Sequence, residues 1–140
     1  MDQGYEILVI ALDIKGAFDQ VWHNGLTAKL CSKGIGGKLL TWLQRYLLGR
    51  SIKVTISGQA SKTSGINASV PQGSILGPLL FSVFIDDLVE TCDYADDSTL
   101  FAPITSSTEC ETVVASVNRD LEKMKAWADA WKVTFEPTKC

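Results

Sequence analysis

The stretch TCDYADDSTLFA, Thr91 to Ala102, sets two adjacent aspartates, Asp96 and Asp97, inside an otherwise apolar and β-prone run that ends in Leu100 and Phe101. Strand-forming residues around a short polar pair describe a β-hairpin with Ala95, Asp96 and Asp97 at its tip. Two neighbouring carboxylates repel each other, and apolar surroundings penalise the ionised form of both. Taken alone, such a pair reads as a solvated turn held by Asx hydrogen bonds. What separates that reading from a chemical one lies elsewhere in the chain.

Some eighty residues earlier, YEILVIAL (Tyr5 to Leu12) is almost continuously apolar and β-branched, the pattern of a strand buried on both faces, and it stops at Asp13. If this strand and the hairpin are neighbours, three carboxylates converge in a partly desolvated place. A divalent cation resolves that conflict. A few hard oxygen ligands with no His or Cys beside them favour Mg²⁺ or Mn²⁺ over zinc. Such ions act on phosphates, two of them spaced about 3.5 to 4 Å apart in a displacement reaction.

Between these acids the chain reads as alternating elements. Gly16 and Ala17 permit a tight turn, and helices are predicted from about Asn24 to Ser32 and from Gly37 to Leu48. The second lines up Leu39, Leu40, Leu43, Tyr46 and Leu47 as a core-facing stripe. RSIKVTI, Arg50 to Ile56, alternates as a half-buried strand, and the turn-rich segment after it can supply a hairpin partner. PQGSILGPLLFSVFIDDL, Pro71 to Leu88, is a Gly/Pro-punctuated loop running into a helix apolar nearly all round. Ser106 and Glu109 form a capping box for a long helix in which Val113, Val117, Leu121, Met124, Ala128 and Trp131 recur at spacings of four or three. VTF then offers a short last strand before Pro137.

At 140 residues, 46% of them hydrophobic, the chain has material for one domain, 1–140, with a substantial core. No apolar run reaches the roughly 18 residues of a membrane span, and the start shows no secretory signal. Cys31, Cys92, Cys110 and Cys140 have no metal-ligand or disulfide-framework spacing, as expected of a reduced, intracellular protein, nuclear or cytoplasmic. The net charge of −3 hides a division. No Asp or Glu lies between Gln20 and Ile85, where Lys29, Lys33, Lys38, Arg45, Arg50, Lys53 and Lys62 give +7, and the remainder stands at −10. A basic middle beside acidic ends reads either as a phosphate track next to a cation site or as ordinary solvated helix faces.

The three stretches ALDIKGAFDQVWH (Ala11 to His23), SVPQGSILGPLLFSVFIDDL (Ser69 to Leu88) and YADD (Tyr94 to Asp97) stand in an order that resembles motifs A, B and C of the reverse transcriptases of non-LTR, LINE-type retrotransposons. The ending WADAWKVTFEPTKC is similar to the family's motif D region, so the resemblance spans nearly the whole chain. It implies an α+β polymerase palm, a small antiparallel sheet with helices packed on one face. The implied activity is RNA-directed DNA polymerisation, in which a primer 3′-hydroxyl attacks the α-phosphorus of a dNTP and pyrophosphate leaves. The implied partners are an RNA template, a DNA primer and dNTP.

By position, the resemblance makes Asp13 and Asp96 the ligands that bridge both metal ions, adds the backbone carbonyl of Ile14, and has Asp97 support the second site. Gly16 and Ala17 would face the triphosphate, and Phe18 would exclude a ribose 2′-hydroxyl; packing in the core is the competing role for its ring. Gln72 with Gly73 would lie against the incoming nucleotide and template, and Lys139 would protonate the leaving pyrophosphate. Other residues read as structural: His23, the single histidine, as a surface or capping residue; Trp127 and Trp131 as anchors of the long helix; Asp19 as a hydrogen-bonding carboxylate; Asp86 and Asp87 as loop caps or solvent-facing acids.

The chain also departs from the family. It holds no fingers or thumb, which would belong to a longer polyprotein, and Glu136 stands where an asparagine is usual. Only VETCD separates Leu88 from Tyr94, fewer residues than the family places there, with Asp93 where an apolar strand residue is expected. An internal deletion that shifts Asp96 relative to Asp13 follows as an expectation. The rival reading is a non-catalytic, retrotransposon-derived remnant that binds RNA or protein through its basic middle.

Overall fold

The computed structural model describes residues 6–90, 95–96, 99–104 and 110–136. In chain order the elements are β1 (Glu6–Ala11), α1 (His23–Ser32), α2 (Gly37–Leu47), β2 (Ser51–Ile52), β3 (Thr55–Ile56), β4 (Gln59–Ala60), β5 (Ser64–Gly65), α3 (Leu76–Glu90), β6 (Ala95–Asp96), β7 (Thr99–Ile104) and α4 (Cys110–Trp131), with a 3₁₀ turn at Ala17–Gln20. They form two compact units, one of residues 1–15 with 85–140, the other of residues 16–84.

The first unit is a sheet with a long helix. Its strand order is β1-β7-β6, antiparallel throughout, with β7 in the middle. α4 packs on β7. The predicted periodicity of α4 holds: Val117, Met124, Trp127 and Ala128 are buried, while Lys125 and Asp129 are exposed. Ser106 and Glu109, the expected capping box, lie outside the described residues. β1 departs from expectation. Ile7 and Val9 are 61% and 52% exposed while Leu8 and Ile10 are half-buried, so the strand is covered on one face only. A continuous apolar run records what a strand can bury; an element must still lie on each face to bury it.

The second unit packs α1 against α2 around Val21, Leu26, Leu30, Leu43, Leu47, Val70, Leu80 and Phe84. Leu43 and Leu47 of the expected stripe are buried, but Leu39 is 54% exposed. Arg50 to Ile56 is no half-buried strand. It splits into two short ladders, β2 with β5 and β3 with β4, and every residue in them is exposed. The predicted hairpin is present, closed by Ser57 and Gly58 with φ of 49° and 81°, the pair of left-handed residues of a type I′ turn.

α3 buries a single stripe, Leu80, Phe84 and Leu88, and leaves Leu79 60% exposed, against the expectation of burial all round. Its start explains the SILGP wording. Ser74 Oγ accepts the Gly77 N–H at 2.9 Å, Pro78 falls in the first turn where no N–H is needed, and a Cβ on Gly77 would lie 2.8 Å from the Pro71 carbonyl oxygen. No described helix is long and apolar enough to cross a membrane.

Candidate active site

At one end of the first unit's sheet, Thr99 of β7 pairs with Ala11 of β1 on one side and with Asp96 of β6 on the other. Asp13 lies two residues beyond Ala11, so the motif A and motif C aspartates flank the same strand end. Asp13 is half-buried. Past β1 the backbone is held by the segment that follows α4: Lys15 N–H donates to the Thr134 carbonyl at 2.9 Å, and Glu136 N–H donates to the Asp13 carbonyl at 2.8 Å. These bonds bracket an antiparallel bridge between Ile14 and Phe135. In such a narrow pair the two residues do not bond each other. The Ile14 carbonyl accordingly takes no hydrogen bond among the described residues, while the Ile14 side chain is buried. VTF is thus a one-residue bridge rather than a strand, and its work is to extend β1 as far as Lys15.

Glu136, the departure from the family's asparagine, takes part in this brace. Besides its backbone bond to Asp13, its carboxylate lies 3.7 Å from Lys15 Nζ. The neighbouring expectations on Asp97, Tyr94 and Lys139 lie outside the described residues, as do Thr91 to Asp93. Among the described residues no group of three His, Cys, Asp or Glu side chains is placed to hold a metal ion.

The second unit holds the remaining predicted residues. Gly16 adopts φ 56°, ψ 50°, a left-handed conformation that glycine reaches at little cost, and its carbonyl accepts from Asp19 and Gln20 N–H to close the 3₁₀ turn. Ala17 and Phe18 sit in that turn. The Phe18 ring is 5.0 Å from the Phe81 ring at 34°, a tilted aromatic pair, so the position does pack against a neighbour while staying half exposed. Motif A and the start of motif B run side by side here: Val70 N–H donates to the Phe18 carbonyl at 2.9 Å, Ser69 N–H to the Val21 carbonyl at 3.0 Å, and Trp22 bridges Ala68. Gln72 and Gly73, just past this pairing, are exposed, with Gly73 at φ 77°.

Two residues read as structural, and one counted in the basic track, have more definite roles. His23 is no surface residue. It is 5% exposed, and its Nε2 lies 2.8 Å from the Ser69 carbonyl; a carbonyl only accepts, so Nε2 carries the proton and donates. Its Nδ1 is buried, with no hydrogen-bond partner among the described residues. Asp87 does not simply face solvent, because Trp127 Nε1–H donates to its Oδ1 at 2.7 Å. Lys29, counted in the basic track, is 6% exposed, with Nζ bonded to the Phe84 carbonyl and 5.1 Å from the Phe84 ring. Nothing in a single sequence marks such pairs. A lone histidine beside a tryptophan and a mid-helix lysine are compatible with any surface, and only the fold supplies the partner.

The family model described as reverse transcriptase (RNA-dependent DNA polymerase) matches residues 1–140. The chain belongs to the reverse transcriptase family. Its relatives place it on the non-LTR, LINE-type branch. It is 35% identical, over 142 aligned residues and 92% of its length, to the RNA-directed DNA polymerase from mobile element jockey of Drosophila funebris. To the probable RNA-directed DNA polymerase from transposon BS of Drosophila melanogaster it is 33% identical over 93% of its length. A more distant relative is the retrovirus-related Pol polyprotein from type-1 retrotransposable element R2 of Popillia japonica, 23% identical over 94% of the chain and covered to 23% of its own length. The chain spans about 15% of the length of the first two. The four helices and small antiparallel sheets of the described residues make up the α+β architecture of a reverse transcriptase palm fragment.

Proposed function

We propose that this chain is the catalytic palm of an RNA-directed DNA polymerase, with Asp13 and Asp96 as the paired carboxylates of nucleotidyl transfer. The observation that carries it is the register at Thr99, which pairs with Asp96 on one side and on the other with Ala11, two residues before Asp13. Aspartates brought to one end of a sheet by two different strands are the kind of oxygen donors that a hard divalent cation takes. The donor set suits magnesium or manganese: aspartate oxygens, and an Ile14 carbonyl that takes no hydrogen bond from the described residues. A cation held there would lower the pKa of the attacking 3′-hydroxyl and stabilise the leaving oxygens.

The chain's own residues account for the rest. The bridge at Ile14 and Phe135 holds Asp13 in extended backbone at the sheet end. Gly16 turns the chain so that its own backbone N–H and that of Ala17 can face a triphosphate. Phe18, steadied by Phe81, is the position for a ring that reads the sugar, and exposed Gln72 and Gly73 for contact with template and nucleotide. Asp97 would support the second ion and Lys139 would donate a proton to pyrophosphate. RNA template, DNA primer and dNTP are the partners, and the setting is intracellular, nuclear or cytoplasmic.

The alignments favour a second reading alongside this one. With the jockey relative, 142 aligned positions hold only 92% of a 140-residue chain, which leaves about a dozen positions at which the chain has no residue. The BS alignment leaves a similar number. This supports an internal deletion, for which the short segment between Leu88 and Tyr94 is the natural place, and with it a palm impaired in catalysis.

Primer extension on an RNA template with Mg²⁺, wild type against Asp96→Ala, tests the first reading: activity is expected in the wild type and lost in the variant. Thermal stability in Mg²⁺ tests the site without turnover. Saturation to a hundred times the dissociation constant stabilises by about 2.7 kcal/mol, and Asp13→Ala should abolish that gain. Wild type showing neither extension nor a Mg²⁺-dependent gain rejects the catalytic reading.

A further inference from the structure

Residues 42, 46 and 50 recur every four along α2 and the turn after it, and they carry an indole, a phenol and a guanidinium. The Trp42 and Tyr46 rings lie 5.8 Å apart at 18°, a stacked pair. The Arg50 guanidinium carbon is 4.6 Å from the Tyr46 ring centroid, and Arg50 Nε–H donates to the Tyr46 carbonyl at 2.6 Å, which holds the cation over the ring. The result is an ordered ladder on an open surface. Trp42 is 53% exposed, and with Gly37, Lys38, Thr41 and Arg45 it lines an open cleft of about 530 Å³.

We propose that this face of α2 is a binding site for single-stranded nucleic acid, with a base stacked on Trp42 and the backbone phosphates met by Lys38 and Arg45. Charge selects this occupant. No Asp or Glu occurs from Gln20 to Phe84, and Lys38, Arg45 and Arg50 are all exposed. A basic partner is repelled, and a purely apolar one would leave three cations to be desolvated. A flat exposed indole bordered by cations matches what a single strand offers, a π-face on every base and a charge on every phosphate. Stacking of this kind is indifferent to sequence and to the sugar. None of these residues belongs to the catalytic set. The proposal rests on the polymerase reading only in making the template the strand so held.

The test is anisotropy of labelled oligouridylate and oligodeoxythymidylate with the whole chain. Both are expected to bind, and Trp42→Ala should weaken both by roughly 5- to 100-fold, while Trp42→Phe retains most of the affinity. Lys38→Ala with Arg45→Ala should lower the slope of log affinity against log salt by about 1.4. Circular dichroism and melting of each variant at the wild-type value exclude a folding defect, as expected for exposed positions. Affinity of Trp42→Ala within twofold of wild type, or no binding by wild type, overturns the proposal. So does equally tight, Trp42-dependent capture of polyglutamate, which would make the face a dock for acidic protein. The two readings separate cleanly. Primer extension lost in Asp13→Ala, with oligonucleotide affinity insensitive to Trp42, keeps the polymerase and rejects the α2 site; Trp42-dependent binding without extension does the reverse.

Discussion

At the scale of single residues, the backbone at Ser69 shows how the lead-in to Gln72 is set. Ser69 is not glycine yet has φ 109°, a conformation that costs an L residue about 1 to 3 kcal/mol. It is held there by its N–H on the Val21 carbonyl and by His23 Nε2–H on its own carbonyl. Removing the imidazole leaves that carbonyl without its donor, a loss of about 1 to 3 kcal/mol. His23→Ala is therefore expected to lower the urea midpoint with m unchanged, and Ser69→Gly to recover part of the loss by relieving the backbone. A His23→Ala variant as stable as wild type, or a Ser69→Gly that destabilises further, contradicts this account. The residue types at Asp13, Asp96 and Phe18 were legible as chemistry in the sequence. His23 was not, because a hydrogen bond across 46 residues leaves no local pattern.

At the scale of elements, the periodic helices were the legible part. Leucines at positions 43 and 47 of α2, and Val117 and Met124 of α4, are buried as their spacing requires. The short ladders were not, since four two-residue strands carry too few residues to show alternation. α3 and α4 are tied within the first unit by Trp127 Nε1–H on Asp87. Two adjacent acids at a helix C-terminal end are unfavourable to its dipole, and the indole donor gives Asp87 a compensating partner. Trp127→Phe keeps most of the packing and deletes the donor, so a loss of about 1.5 to 3 kcal/mol is expected for a bond to a charged acceptor. In an Asp87→Ala background the same substitution should cost measurably less. Equal costs in both backgrounds, read as a double-mutant cycle by denaturant melts, would show that the bond contributes nothing.

At the scale of the whole molecule, the decisive quantity is chain length between motifs. If the dozen positions missing against the jockey and BS relatives fall between Leu88 and Tyr94, the run that delivers Asp96 to the sheet end is short, and a carboxylate held about 1 Å from its working position would lower the rate about a hundredfold. Lengthening that segment with the jockey residues should raise primer extension by about that factor while leaving Mg²⁺-free stability little changed. Extension no faster than the parent chain places the missing residues elsewhere. The family, the palm class and the chemical identity of the acids were readable from the amino-acid order. Those depend on residue types at fixed local spacing, which a linear reading captures. It took the tertiary structure to set Thr99 between Ala11 and Asp96, to brace the end of β1 with residues 134–136, to put His23 and Lys29 in the interior and to leave Trp42 on the surface. Each of these is a partnership across tens of residues or the lack of one, and burial, hydrogen bonding and exposure belong to pairs of elements rather than to any stretch of chain.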